Sequence, residues 1–134
     1  MNLETRCSAI EECYEFMLAY AAQGLDTDAG NQSGTQIREF LRRAVTALTG
    51  LADECVITIA REELQPAERY RAFVDVLDRD AGDSLAAIEM VLAQPAISSQ
   101  LIDNLNASIH LRALLTDLFL LDEILKLQRI PAKS

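Results

Sequence analysis

Tryptophan is absent and aromatic residues make up only 5% of the chain, so any core must be built from aliphatic side chains. Five Gly and three Pro are too few for a chain of many turns. Three cysteines, Cys7, Cys13 and Cys55, make no CxxC pair. Their odd number, with no basic-then-apolar leader in MNLETRC, sets the expectation of a reducing, cytoplasmic setting. No run reaches the roughly 18 apolar residues that a membrane-spanning helix needs, so no membrane partner is expected. The patterns GxSxG, GxGxxG, HExxH and the Walker loop are missing as well, and no residue stands out as catalytic or as cofactor-binding.

Positive charge is also scarce. Twelve basic residues against 21 acidic ones give a net charge of −9. Such a surface repels phosphates, which argues against nucleic acid and anionic membranes as partners. Arg38, Arg42 and Arg43 come closest to a basic patch, but Glu39 lies four residues before Arg43 and can pair with it on a helix.

Helical periodicity, by contrast, is plentiful. Half of the 134 residues are hydrophobic, a length and composition that suit one domain covering residues 1–134. Leu3, Cys7, Ile10, Tyr14, Met17 and Ala21 step by four and three, which predicts a first helix over 2–23, stopped at Gly24. The polar LDTDAGNQSG stretch reads as a loop. A second helix over 35–64, capped by Thr35, buries Ile37, Leu41, Ala44, Leu48, Leu51, Cys55 and Ile59, and Gly50 marks a kink or a close crossing within it. Pro66 starts a third over 67–94, along Tyr70, Phe73, Val74, Leu77, Ala81, Leu85, Ile88 and Leu92, with DRDAGDS as its weak point. Ser98 or Ser99 caps a fourth over 98–128, followed by Ile130-Pro131 and a basic tail. Matched lengths and short joints at Pro66 and Pro95 predict an all-α, antiparallel, up-and-down four-helix bundle.

The fourth helix is anomalous. Leu101, Leu105 and Ile109 mark one side of its first half, whereas Leu111, Leu115, Leu118 and Leu125 mark another, more than a quarter-turn away. Leu114, Phe119, Leu120, Leu121, Ile124 and Leu127 widen the second half until it is apolar nearly all round. A helix of that kind needs cover on every side. The expected cover is a second copy of the chain, with Leu114, Leu118, Phe119, Leu120, Leu121 and Ile124 as interface candidates. A different protein, or the Gly24–Gly34 loop, is the alternative. Asp122 falls in the middle of this stripe, where a carboxylate needs a partner.

Polar groups of a bundle interior are the remaining candidates for chemistry. Asp122, His110, Tyr14 and Cys55 are the ones that could face a ligand between helices. His110 heads IHLRALLTDL, yet Leu111 and Arg112 follow it directly, rather than two and three residues later as a phosphoacceptor helix requires. A di-iron bundle needs Glu-x-x-His twice, and here there is one His, with Ala107 three residues before it. Zinc lacks a ligand spacing among Cys7, Cys13, Cys55 and His110. Glu11, Glu12 and Glu15 form the EExxE pattern with which helical nucleotide pyrophosphatases hold magnesium, but the facing ExxD is absent and Asp75 with Asp78 is a poor substitute. The sequence therefore reads first as a small cytoplasmic helical protein acting through protein–protein contact, as an adaptor, chaperone-like or regulatory factor. A small-molecule or metal-binding bundle, such as a magnesium-dependent pyrophosphatase-like enzyme, stands second.

Overall fold

The computed structural model describes residues 1–129, all-helical and without strands among them. The Ile130-Pro131 stop and the basic tail lie outside the described residues. Six helices follow one another: α1 (Leu3–Ala21), α2 (Gln32–Leu48), α3 (Leu51–Arg61), α4 (Ala67–Leu92), α5 (Ser99–Ala107) and α6 (Ile109–Gln128).

Local chemistry explains where each begins. The Asn2 side chain accepts the Thr5 amide at 2.8 Å and caps α1. Asn31, rather than Thr35, caps α2, its carboxamide oxygen accepting the Gly34 amide at 2.6 Å. The preceding loop folds back so closely on this turn that a Cβ at Gly34 would overlap the Asp28 carbonyl. Ser98 caps α5 through the Leu101 amide at 3.0 Å.

Two of the four expected helices are divided. The 35–64 helix breaks at Thr49–Gly50, where Gly50 takes the left-handed φ of 85° that suits a residue without Cβ. The break is capped from elsewhere: Arg6 Nη1 on α1 donates to the carbonyls of Thr46, Ala47 and Thr49 at 3.3, 3.0 and 2.6 Å. A cation at the carbonyl end of a helix satisfies orphan acceptors and the dipole together. The apolar stripe from Ile37 to Ile59 nonetheless stays buried through the break. The 98–128 helix breaks at Ser108, whose ψ of 140° leaves the helical region. Its hydroxyl then caps α6 by accepting the Leu111 amide at 3.4 Å. The 67–94 helix, by contrast, is a single α4, with Gly82 in open space on its exposed side.

Buried side chains from all six helices form one cluster. α1 packs on α2 and α5, and α4 packs on α6, α3 and α2. α4 and α6 run in opposite directions, because Ser84 Oγ donates to the His110 carbonyl at 2.9 Å while Asp80, earlier in α4, meets Asp117, later in α6. At one end a polar knot joins the α1–α2 loop to the α4–α5 loop. The Tyr20 hydroxyl donates to the Ile97 carbonyl at 2.6 Å, and Ser99 Oγ donates to the Tyr20 carbonyl at 2.6 Å while accepting the Leu25 amide at 2.9 Å. Asp28 accepts the Ile97 amide at 2.7 Å and pairs with Arg38, which reaches on to the Leu92 and Gln94 carbonyls at 3.1 and 3.0 Å. The Gly24–Gly34 loop is thereby committed to α2 and the start of α5, and it does not roof the outer side of α6.

Two substitutions test these boundaries. Gly34→Ala forces backbone apart and should cost on the order of 1–3 kcal/mol in urea unfolding. Ser108→Ala removes a cap and should cost about 1 kcal/mol. An unchanged midpoint for both would contradict the loop packing and the division between α5 and α6.

Candidate functional site

The break at Ser108 decides which side of α6 meets the core. Leu111, Leu114, Leu115, Leu118, Leu121 and Leu125 lie inside. On the opposite side Ile109 is 75% exposed, Phe119 55%, Leu120 50% and Leu127 59%, with Ile124 half-buried beside them. The outward positions 109, 113, 116, 120, 123 and 127 step by four and three, the spacing of a helix seam. Their residues are Ile109, Ala113, Thr116, Leu120, Glu123 and Leu127.

The six interface candidates are split by this geometry. Leu114, Leu118 and Leu121 are corrected from interface to interior, since the protomer's own helices bury them. Phe119 and Leu120 remain at the surface, with Ile124 at the edge. Ile109 was missed. A continuous helix would put it one turn beyond Leu105 on the buried side, and the break turns it out. The available signal was Ser108 itself, a capping residue three before Leu111 at the head of an apolar run.

The buried acid is not the expected one. Asp122, expected inside the leucine stripe, is exposed and forms an ion pair with Lys126 at 3.0 Å. Asp117 takes the interior position instead, 9% exposed and beside Asp80 of α4. Burial, then the neighbouring Asp80 carboxyl, push the Asp117 carboxyl up to about 7. Its Oδ2 finds no hydrogen-bond partner among the described residues. A carboxyl so placed favours its protonated form. Asp28, held by Arg38 and the Ile97 amide, is shifted the opposite way, below the usual carboxylate range.

Two grooves mark the surface. The larger, about 460 Å3, runs between α1, α3 and α6 over a floor of Leu3, Leu118, Leu121 and Leu125. Two of its rim cations are paired: Lys126 holds Asp122, and Arg129 holds Glu62 through two bonds of 2.7 Å. Cys7 lines this groove, and burial, then Glu11 and Asp122, push its thiol up to about 11. A thiol so shifted is a poor nucleophile at neutral pH. The smaller groove, about 330 Å3, lies beside Glu12, Arg42 and Arg43.

The ligand-pocket candidates do not converge. Asp122 borders the larger groove, while Cys55 is buried and its thiol is pushed up to about 12, chiefly by burial. His110 is exposed at the start of α6, 3.8 Å from Asp83, and Tyr14 is half-buried on α1. The acidic cluster also separates. Glu11 faces the larger groove, Glu12 bonds to Arg43 at 3.0 Å, and Glu15 is exposed. Among the described residues no three His, Cys, Asp or Glu side chains come together to hold a metal ion. No described helix is long and apolar enough to cross a membrane.

No family model, curated protein or solved structure matches this chain.

The acid pair makes a pH prediction. Folding raises the Asp117 pKa from 3.8 to about 7, so the folded state binds the proton more tightly than the unfolded chain. Its stabilisation is full below the unfolded value and is lost as pH rises through the folded one. Asp117→Asn removes this slope. In urea unfolding at pH 8 the variant should be more stable than the wild type, by on the order of 1–3 kcal/mol, and the gap should close toward pH 4. Parallel pH profiles would show that Asp117 is not a buried acid.

Proposed function

We propose that this protein works by associating with another chain through the outward face of α6, as a small adaptor, chaperone-like or regulatory factor in a cytoplasmic setting. In this reading α1, α2–α3, α4 and α5–α6 act as the four rods of an antiparallel up-and-down bundle. A second copy of the chain is the expected partner, and a different protein is the alternative. One observation carries the reading: Ile109, Phe119, Leu120 and Leu127 are exposed along one side of a helix whose opposite side is filled with buried leucines. The core does not use them, and left in water they offer no stabilisation to the protomer. Apolar residues aligned on one helix face are also the recognition element by which helices dock into one another or into a groove. The dispersed positions of Asp122, His110, Tyr14 and Cys55 supply no comparable support for a ligand pocket.

The test combines Phe119→Glu with Leu120→Glu. Both side chains point away from the core, so the thermal midpoint should hold or rise. Light scattering after gel filtration, on purified protein and on unfractionated extract, should show the wild type in a species heavier than its own 14.8 kDa and the double variant without it. Wild type and variant both at protomer mass in both samples would remove the reading.

A further inference from the structure

Charge along the outward seam of α6 is unevenly placed. Arg112 stands near its start, on the flank that also carries Phe119, and it makes no ion pair with any described residue. Glu123 stands in the seam itself near its other end, exposed and equally without an ion pair among the described residues. Lys126 shares the Arg112 flank, but its charge is already met by Asp122 at 3.0 Å. From Ile109 to Leu127 the seam is roughly 27 Å long at 1.5 Å per residue.

Two copies could lie along this seam in either direction, and the charges separate the two. Side by side in the same direction, Glu123 would face Glu123 of the second copy across a largely apolar contact, and neither Arg112 would be close enough to relieve it. Run in opposite directions about an axis between Thr116 and Leu120, every position changes partner. Ile109 meets Leu127 of the second copy, and Thr116 meets its Leu120. Ala113, a small residue, meets Glu123 and leaves room for it. Arg112 then lies beside the same Glu123, and the two Phe119 rings come together at the axis. The helix dipoles also oppose one another in this arrangement.

Building on the reading of α6 as an association surface, we infer that this face binds a second copy of the chain antiparallel, with Arg112 of each copy against Glu123 of the other. Each contact is made twice by symmetry. The Asp80–Asp117 pair lies on the α4 side of α6 and stays within the protomer.

Sedimentation equilibrium of the wild type, Arg112→Glu, Glu123→Arg and the double swap decides this. Both positions are exposed, and each single change suits its end of the helix dipole, so folding should survive; a thermal melt checks it. Each single swap places like charges together twice and should weaken the dimer about tenfold or more. The double swap restores both pairs and should return to within about threefold of the wild type. A wild-type dimer indifferent to the single swaps overturns the antiparallel register, as does a double swap no better than the singles. Either result leaves α6 as an association surface. A wild type that stays at 14.8 kDa to millimolar concentration overturns the second copy, whereas the broader reading falls if extract yields no heavier species, or none that Phe119→Glu with Leu120→Glu removes.

Discussion

Ser108 leaves the helical conformation for a single residue, and its hydroxyl takes the Leu111 amide. That one capping bond separates two amphipathic helices whose apolar sides point in different directions. α5 can then present Ile102 and Leu105 to the core while α6 presents Leu111, Leu114, Leu118, Leu121 and Leu125. Without the break, one of these sets would have to face water. With it, the excess apolar residues of α6 are gathered on a single outward side. The outward apolar side is thus a by-product of how the core is satisfied: α4 and α5 pack against one side of α6, and the sequence has put large apolar residues on the other.

Polar interactions fix the rest of the frame. Arg6 closes the carbonyl end of α2 from across the interface with α1, which allows Gly50 to end that helix without orphaned acceptors. Asp28, Arg38, Tyr20 and Ser99 hold the two loops at one end by bonds to backbone groups. These contacts cost side-chain freedom but leave little backbone unpaired. The interior is not fully satisfied, however. Asn106 is buried with neither its carboxamide oxygen nor its nitrogen partnered among the described residues, and Asp117 Oδ2 is likewise buried without a partner among them. Asp28 and Asp117 therefore pull stability in opposite directions with pH, since the first is stabilised as an anion and the second as an acid.

The apolar stripes were legible in the sequence because a period of four and three survives local detail. Ile37, Leu41, Ala44, Leu48, Leu51, Cys55 and Ile59 are all buried although the helix carrying them is broken at Gly50. A kink at Gly50 was legible, but which glycine or serine ends a helix was not, because that choice depends on a partner distant in sequence or on competing caps. Gly50 ends a helix where Arg6 is at hand, whereas Gly82 sits in open space and α4 runs through it. Asn31 displaces Thr35 as a cap because the loop before it tucks against Gly34. Asp117 and Asp122 exchange roles because Leu114 and Leu121 join Leu111, Leu118 and Leu125 in the core, which moves the buried side of α6 toward Asp117 and leaves Asp122 outside it. Of the candidate face, Phe119 and Leu120 were named from the helical pattern and are exposed, whereas the burial of Leu114, Leu118 and Leu121 required knowing which side of α6 meets the core.

The proposed function rests on the outer side of α6 being covered when the protein works. The absence of Trp provides a direct readout, because Phe119→Trp introduces one indole on that side with no background. As protein concentration rises, a covered face should move the emission to shorter wavelength and protect the indole from acrylamide quenching, in step with the increase in mass. An indole that emits and quenches as if in water at every concentration, and equally in the presence of cell extract, would contradict it.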